Sequence, residues 1–324
     1  MPFFIRYACL TAASILLVLA GSFCGPGNLT FEETIDGILS FYENGTAETI
    51  VWNIRAPRIA VSLLTGACLG LAGVLIQLST RSPLGDPNLF GVGGGAAIFL
   101  SVSAAGLISI GGIGVFMGCV GSSLAVAMLF SSLVSSRDLS PMKLAFMGIA
   151  IGALTVSVST SVISHGRVFP SQVIGLVGGS FSGSNWEIFS YLLLTFSFCL
   201  VISIGLSRKF HPIMLGDTLS RSLGVNPIST RYIAMALVGI LTGAAVFAGG
   251  LIGFVGMICP HIGRKLFGNR PIHLVVSATF LGAIVTLGSD QIARLLLSPT
   301  EFPVGMATTI IGAPLMINVA LKLK

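Results

Sequence analysis

Charge is what this sequence has least of. Asp, Glu, Lys and Arg together supply 9% of its 324 residues, while hydrophobic types supply 54%. Water-soluble domains carry about 25% charged residues, so this chain cannot cover a surface that faces water, and a mean hydropathy of +0.98 places it in a bilayer. Chemistry-bearing clusters are missing too. The six cysteines (Cys9, Cys24, Cys68, Cys119, Cys199, Cys259) stand singly, mostly inside apolar runs, with no CxxC pair. They read as small packing residues rather than metal ligands or disulfide partners. The four histidines (His165, His211, His261, His273) lie far apart without ligand spacing, so paired haem ligation and a metal centre are not expected, and His261 beside Pro260 reads as structural. No G-x-x-x-x-G-K-[ST] string occurs, which excludes ATP binding through a P-loop. Carboxylates are absent from the middle of the apolar runs. The acid nearest a span is Asp290, close to an outer end and four residues before Arg294, where the two neutralise each other on one helix face. Alternating segments of about ten residues, the mark of a membrane barrel, are absent as well.

What is present is a series of apolar runs near 8–24, 58–78, 89–108, 111–134, 142–164, 188–206, 229–250, 272–293 and 303–321, with a shorter stretch at 251–267. Runs of roughly 20 apolar residues span a bilayer as helices. Residues 1–24 imitate a signal peptide, but no convincing A-x-A site follows, and they are taken as an uncleaved first span. Cytoplasmic loops collect Lys and Arg, and this rule fixes the count. With ten spans, four of the 17 basic residues (Arg55, Arg58, Arg167, Arg294) fall outside and the other 13 fall inside. Nine spans would put Arg264, Lys265 and Arg270 outside. Ten spans leave both termini cytoplasmic, outer segments at 25–57, 165–187 and 294–302, and inner loops at 79–88 and 207–228. The expected fold is all-α and polytopic, one transmembrane domain over 1–324.

The 41 glycines cost helices in water about 1 kcal/mol each relative to alanine, but in lipid small residues let helix backbones approach. Gly66/Gly70, Gly114/Gly118, Gly148/Gly152, Gly239/Gly243 and Gly249/Gly253 share the GxxxG spacing. An internal echo joins Thr65-Gly66-Ala67 with Gly73 to Thr242-Gly243-Ala244 with Gly250, at a constant offset of 177. Five spans per half would make those two helices run oppositely, as in inverted-repeat transporters. The same offset aligns Pro83 with Pro260, but an inverted repeat there would put Arg264 outside, so the repeat is accepted for the two helices alone.

Ordered strings run along the chain: Arg55-Ala-Pro-Arg58, Gly66-Ala67, Gly73, Gln77, Ser82-Pro-Leu-Gly-Asp-Pro87 and Gly91-Val-Gly-Gly-Gly-Ala96. They continue with Leu223-Gly224-Val225, Gly253-Phe-Val-Gly256, Pro260-His-Ile-Gly-Arg264, Asp290 to Arg294, Phe302-Pro-Val-Gly305 and Gly312-Ala-Pro314. From about residue 50 onward the chain resembles the FecCD-type, vitamin B12 permease-like subunits of ABC importers for ferric siderophores, haem and vitamin B12. Departures are Ser82 in place of Asn, Gly85 and Ser220 where Ala is frequent, and Gly93-Gly94 where Ser-Ala or Ser-Asn is common.

The resemblance implies a ten-helix permease with no cofactor and no catalysis of its own. Its expected partners are a second permease copy (homodimer or close heterodimer), two cytoplasmic ATP-binding subunits, an external substrate-binding protein and the lipid bilayer, but no nucleic acid. Arg55, Arg58 and Arg294 match outward arginines that receive acidic residues of the binding protein, a task suited to the bidentate guanidinium; they also suit snorkelling or internal pairing. Gly216, Leu219, Leu223 and Gly224 fall in the segment that matches the cytoplasmic coupling helix, and the glycine stops with the i,i+4 leucines fit a docked helix. Gly91, Gly93, Gly94 and Gly95 line or gate the path, or merely let helices touch. The expected cargo is an iron–siderophore-type complex carried across a bacterial cytoplasmic membrane. Haem and cobalamin importers share the architecture, and the competing class is a carrier driven by an ion gradient.

Overall fold

The computed structural model describes residues 3–23, 29–39, 45–135, 141–166, 170–296 and 302–322, and every regular element among them is helical. Arg167 and Cys24 lie outside the described residues. In chain order the helices are α1 (Phe3–Phe23), α2 (Phe31–Leu39), α3 (Thr46–Thr49), α4 (Ala56–Thr80), α5 (Val92–Ala104), α6 (Gly112–Ser135), α7 (Pro141–His165), α8 (Pro170–Gly178), α9 (Trp186–Leu215), α10 (Asp217–Ser222), α11 (Pro227–Gly249), α12 (Val255–Phe267), α13 (Pro271–Leu296) and α14 (Val304–Lys322). Seven helical segments are long and apolar enough to cross a bilayer. α5, α12 and α14 are shorter or less uniformly apolar, so ten crossings is an approximate count.

Burial sorts the long helices into two classes. The apolar window is 89% buried in the segment containing α4, 72% in α11 and 56% in α13, but 0% in α1, 22% in α9 and 28% in α6 and α7. α4, α11 and α13 therefore form the core, and the others present leucine, isoleucine and phenylalanine to the perimeter. This is the pattern of a membrane protein, whose outer solvent is itself apolar.

Glycine sets the two most extensive helix contacts, α4 with α13 and α11 with α6. A Cβ on Gly66 would lie 2.2 Å from the Gly282 carbonyl oxygen, and one on Gly282 would lie 2.1 Å from that of Gly66. The backbones touch because neither residue has a side chain. Gly243, the repeat equivalent of Gly66, does the same work on α6: its Cβ would stand 2.6 Å from the Cα of Val120. The echo thus extends beyond two helices to two helix pairs. Of the remaining GxxxG pairs, Gly148/Gly152 meet Phe90 and the Leu89 carbonyl, whereas Gly253 meets nothing within 4 Å.

Several boundaries move from their expected places. α9 runs through Pro212 to Leu215, so much of the inner loop expected from 207 is helix. Proline deprives only the Arg208 carbonyl of its partner. The short span expected over 251–267 starts at Val255, because Gly250 (φ +71°) and Phe254 (φ +68°) break the backbone between α11 and α12. The inner loop expected over 79–88 is instead helix to Thr80, and the turns that follow are tucked into the bundle with Ser82 and Asp86 buried.

α1 is pinned along α13. Arg6 donates to the Leu266 carbonyl, Tyr7 bonds His273 at 3.2 Å, and Gln291 donates to the Leu17 carbonyl at 2.6 Å. Arg6, His273 and Arg264 therefore lie toward one end of the bundle, and Arg55 and Arg294 toward the other, as the charge rule requires.

Candidate functional site

The end of the bundle expected to lie outside gathers three of the expected site residues. Residues 50–55 form a π-helical turn that leads into α4. Its cause is Pro57, which has no N–H to offer the Asn53 carbonyl and crowds it. The wide turn swings Arg55 toward the end of α1, where its Nη1 donates to the Ser22 carbonyl at 2.8 Å. A cation there also complements the negative end of the helix dipole. One turn on, Arg58 clasps Asp290: Nη2 to Oδ1 is 2.9 Å, and Nε lies 3.2 and 3.3 Å from the two carboxylate oxygens. Arg294 approaches the other oxygen at 3.2 Å. Arg55, Arg58 and Asp290 are 2%, 5% and 0% exposed. The arginines are thus brought together at the outer end, but their guanidinium groups are engaged inside the chain rather than spread on its surface.

The opposite end, expected to lie inside, is organised by α10. Gly216 (φ +120°) ends α9 and Gly224 (φ +77°) follows α10, and neither has another residue's atom within 4 Å of where a Cβ would stand. Leu219 and Leu223 are 54% and 61% exposed, so the expected ridge exists and faces away from the bundle. The other side of α10 is tied down. Asp217 accepts Arg231 Nη2 on Oδ1 at 2.8 Å and Arg231 Nη1 on Oδ2 at 3.0 Å, and it also accepts Arg81 Nη2. Burial pushes the Asp217 carboxyl up, but the hydrogen bonds and charges of Arg231 and Arg81 outweigh that and hold it below the ordinary aspartate range. Arg81 caps the C-terminus of α4 in the left-handed region (φ +53°), while Asn226 caps the N-terminus of α11 through Ile228 N–H at 3.0 Å. One carboxylate thus holds the end of α4 and the start of α11 together, which shows that the two helices run oppositely.

Between these ends lies a polar junction built from two of the ordered strings, Gln77 and Ser82–Pro87, to which no role was assigned from sequence. Asp86 Oδ1 accepts the N–H groups of Asn88 and Leu89 at 2.9 and 3.1 Å. Asn88 donates to the Ile252 carbonyl at 2.6 Å, and Gln77 to the carbonyls of Gly85 at 3.1 Å and Met257 at 3.3 Å. Inside a bilayer irregular backbone is tolerated only where protein satisfies it, and these amides satisfy 81–91 and 250–257 together. Gly91 opens α5 with φ +78°, and Gly93, Gly94 and Gly95 each abut another residue inside the chain: Asn88, Thr155 of α7, and the Ser122 carbonyl of α6. A cavity of about 390 Å³ opens below, lined by Gln77, Arg81, Ser82, Met214, His261 and Arg264 among others. Among the described residues no group of three or more His, Cys, Asp or Glu side chains is placed to hold a metal ion.

Residues 11–322 match the FecCD transport family. The chain belongs to that family. The permease is 33% identical over 288 residues to the Fe(3+)-citrate import system permease protein YfmD of Bacillus subtilis, covering 88% of this chain and 85% of the relative. It is 31% identical over 314 residues to the iron(3+)-hydroxamate import system permease protein FhuB of the same organism, covering 95% and 82%. A solved structure described as an inward-facing metal-chelate type ABC transporter superposes with a TM-score of 0.81 at 29% identity, covering 98% of the permease and 99% of that chain. The family match begins 44 residues before the first of the strings, at Arg55, and so takes in most of α1.

Proposed function

We propose that this permease forms the translocation pathway of a binding-protein-dependent ABC importer for an iron–siderophore-type complex. It pairs with a second permease copy, receives cargo from an external binding protein, and rests on two cytoplasmic ATP-binding subunits that hydrolyse ATP for it. It works as one transmembrane domain in a bacterial cytoplasmic membrane, with both termini inside. The observation that carries this reading is the pairing of an exposed leucine ridge at one end of the bundle with an arginine cluster at the other. Relatives named for ferric citrate and ferric hydroxamate import, at 33% and 31% identity, favour an iron chelate as cargo.

In this reading Leu219 and Leu223 seat in a groove of the ATPase, with Gly216 and Gly224 letting α10 take the orientation the groove dictates. Burying two exposed leucines supplies about 3–6 kcal/mol at most, enough for a stable contact. Arg55, Arg58 and Arg294 serve docking from the other side. Arg58 and Arg294 share Asp290, and Arg55 donates to the end of α1. Complementary carboxylates on an approaching protein would be steered by these guanidinium groups and held in register. Docking then means that an incoming carboxylate takes a share of a guanidinium now held by Asp290 or by the end of α1. The glycines at 91, 93, 94 and 95 act by letting α5 lie close to α6 and α7, so that α5 moves with them.

The test is uptake into proteoliposomes holding the permease, its ATPase subunits and its binding protein, using radio-iron as ferric citrate and as a ferric hydroxamate. Uptake that requires both ATP and the binding protein supports the importer. Uptake by the permease alone, driven by an ion gradient, overturns it.

A further inference from the structure

We propose that the Asp217 carboxylate is the positioning residue through which movement of α10 is delivered to the two core helices, α4 and α11. The inference rests on the reading that α10 docks on an ATPase, and it adds how that contact reaches the membrane.

α10 has six residues, too few to keep a helix without outside support. Both of its flanks are glycines in conformations that L side chains rarely adopt, with open space around them. Glycine at both joints leaves the orientation of the rod to the contacts its own side chains make: Ser220 is buried, and Asp217 is ion-paired. Asp217, in the first turn of α10, meets two different helices: Arg231 grips both of its oxygens from α11, and Arg81 reaches one of them from the end of α4. The bidentate fork fixes direction as well as distance, so α10 cannot tilt without pulling on α11. The left-handed backbone at Arg81 places α4 in the same grip.

The identity of the two helices gives the tie its meaning. α4 and α11 are the most buried of the long helices. α4 is a 25-residue helix, about 37 Å long at 1.5 Å per residue, and Arg58, bonded to Asp290, stands in its first turn at the opposite end. Asp217 thus sits at one end of a rod whose other end holds the outer arginine cluster. Leu219 and Leu223 attach the partner; Asp217 transmits what the partner does.

The experiment uses the permease assembled with its ATPase subunits and binding protein in proteoliposomes. It reads radio-iron taken up per ATP hydrolysed, with whichever of ferric citrate or a ferric hydroxamate the unaltered permease carries. Asp217→Asn should lower that ratio at least tenfold, and Asp217→Glu, which keeps the charge, should restore most of it. Arg231→Gln should lower it as well, and the Asp217→Asn/Arg231→Gln double variant should be no worse than the poorer single, because both remove one bond. An unchanged ratio in Asp217→Asn overturns the proposal. So does a Glu variant as poor as Asn, which marks a packing role, or single effects that multiply in the double variant. Should Asp217→Asn fail to assemble, Arg81→Gln decides, since it leaves the Arg231 pair standing: a lowered ratio supports transmission to α4, and an unchanged ratio refutes it. The docking reading is separable. If Leu219→Ala/Leu223→Ala leaves ATPase co-purification intact, docking by that ridge fails whatever the Asp217 variants do.

Discussion

Asp290→Asn is the substitution from which this structure should suffer most. The change keeps the shape of the side chain and removes its charge. Asp290 is fully buried and serves two buried cations, Arg58 at 2.9 Å and Arg294 at 3.2 Å. Removing one partner of a buried pair costs about 3–5 kcal/mol, because the desolvated charge left behind loses its counter-ion. That is a factor of roughly a hundred to a few thousand in the folded-to-unfolded ratio. The same physics predicts an opposite result for the whole cluster. Replacing all three charges by apolar groups (Arg58→Met, Asp290→Leu, Arg294→Met) should return stability to within about 1 kcal/mol of the unaltered protein, since a buried ionic group exchanged for apolar groups is close to neutral. Denaturant titration of the permease in micelles measures both, and tryptophan fluorescence is a suitable probe: the chain has two tryptophans, and Trp186 Nε1 donates to the Trp52 carbonyl at 3.0 Å near this same end. A loss under about 1 kcal/mol for Asp290→Asn, or a triple variant less stable than the single one, would refute the burial argument.

Gly66→Ala should destabilise by about 1–3 kcal/mol, because its Cβ would collide with the Gly282 carbonyl, whereas Gly183→Ala, where nothing lies within 4 Å, serves as the neutral control in the same titration. Arg55→Glu should weaken affinity for the binding protein at least tenfold, about 1.4 kcal/mol, and flatten its salt dependence; equal affinity at low salt would count against docking through this cluster. Leu219→Ala/Leu223→Ala should abolish co-purification of the ATPase while leaving the permease folded. The Asp217 carboxyl, held below its ordinary range, contributes stability that is present above the usual aspartate pKa and is lost only as pH falls through the lowered value. A carbon-13 NMR titration should find it protonating below the ordinary aspartate range, and a carboxyl that protonates at or above that range would show the Arg231 and Arg81 bonds to be weak.

How much of this was legible beforehand depends on the range of the interaction that decides each feature. Spans come from local hydropathy, and seven of them are found as long apolar helices among the described residues; their orientation comes from counting Lys and Arg. α10 was legible too, because Gly216 and Gly224 bracket it and Leu219 and Leu223 share one face. Helix ends were less so: α12 begins at Val255 because of backbone conformations at Gly250 and Phe254, and a hydropathy window does not register dihedral angles. The arginines show the limit most clearly. Their placement at an outer end followed from span arithmetic, and the pairing of Arg294 with Asp290 followed from spacing. That Arg58 reaches the same carboxylate across 232 positions is a property of α4 lying on α13. Asp86 was passed over as a loop acid, since nothing in Ser82-Pro-Leu-Gly-Asp-Pro87 says that the loop folds inward. Arg81, Asp217 and Arg231 looked like ordinary cytoplasmic charges, and only the fold converts them into one contact. The signal available was the first-turn position of Asp217 between two glycines.

The central claim is that the leucine ridge of α10 faces the cytoplasm and is covered by an ATPase. Its most direct test is a Leu219→Cys substitution, with Cys9 and Cys24 replaced by serine and the four buried cysteines kept, probed by a membrane-impermeant maleimide in right-side-out and inverted vesicles. Labelling in inverted vesicles alone, suppressed when the ATPase subunits are present, is the predicted result. Labelling from the outside, or labelling that the ATPase leaves untouched, would contradict the claim.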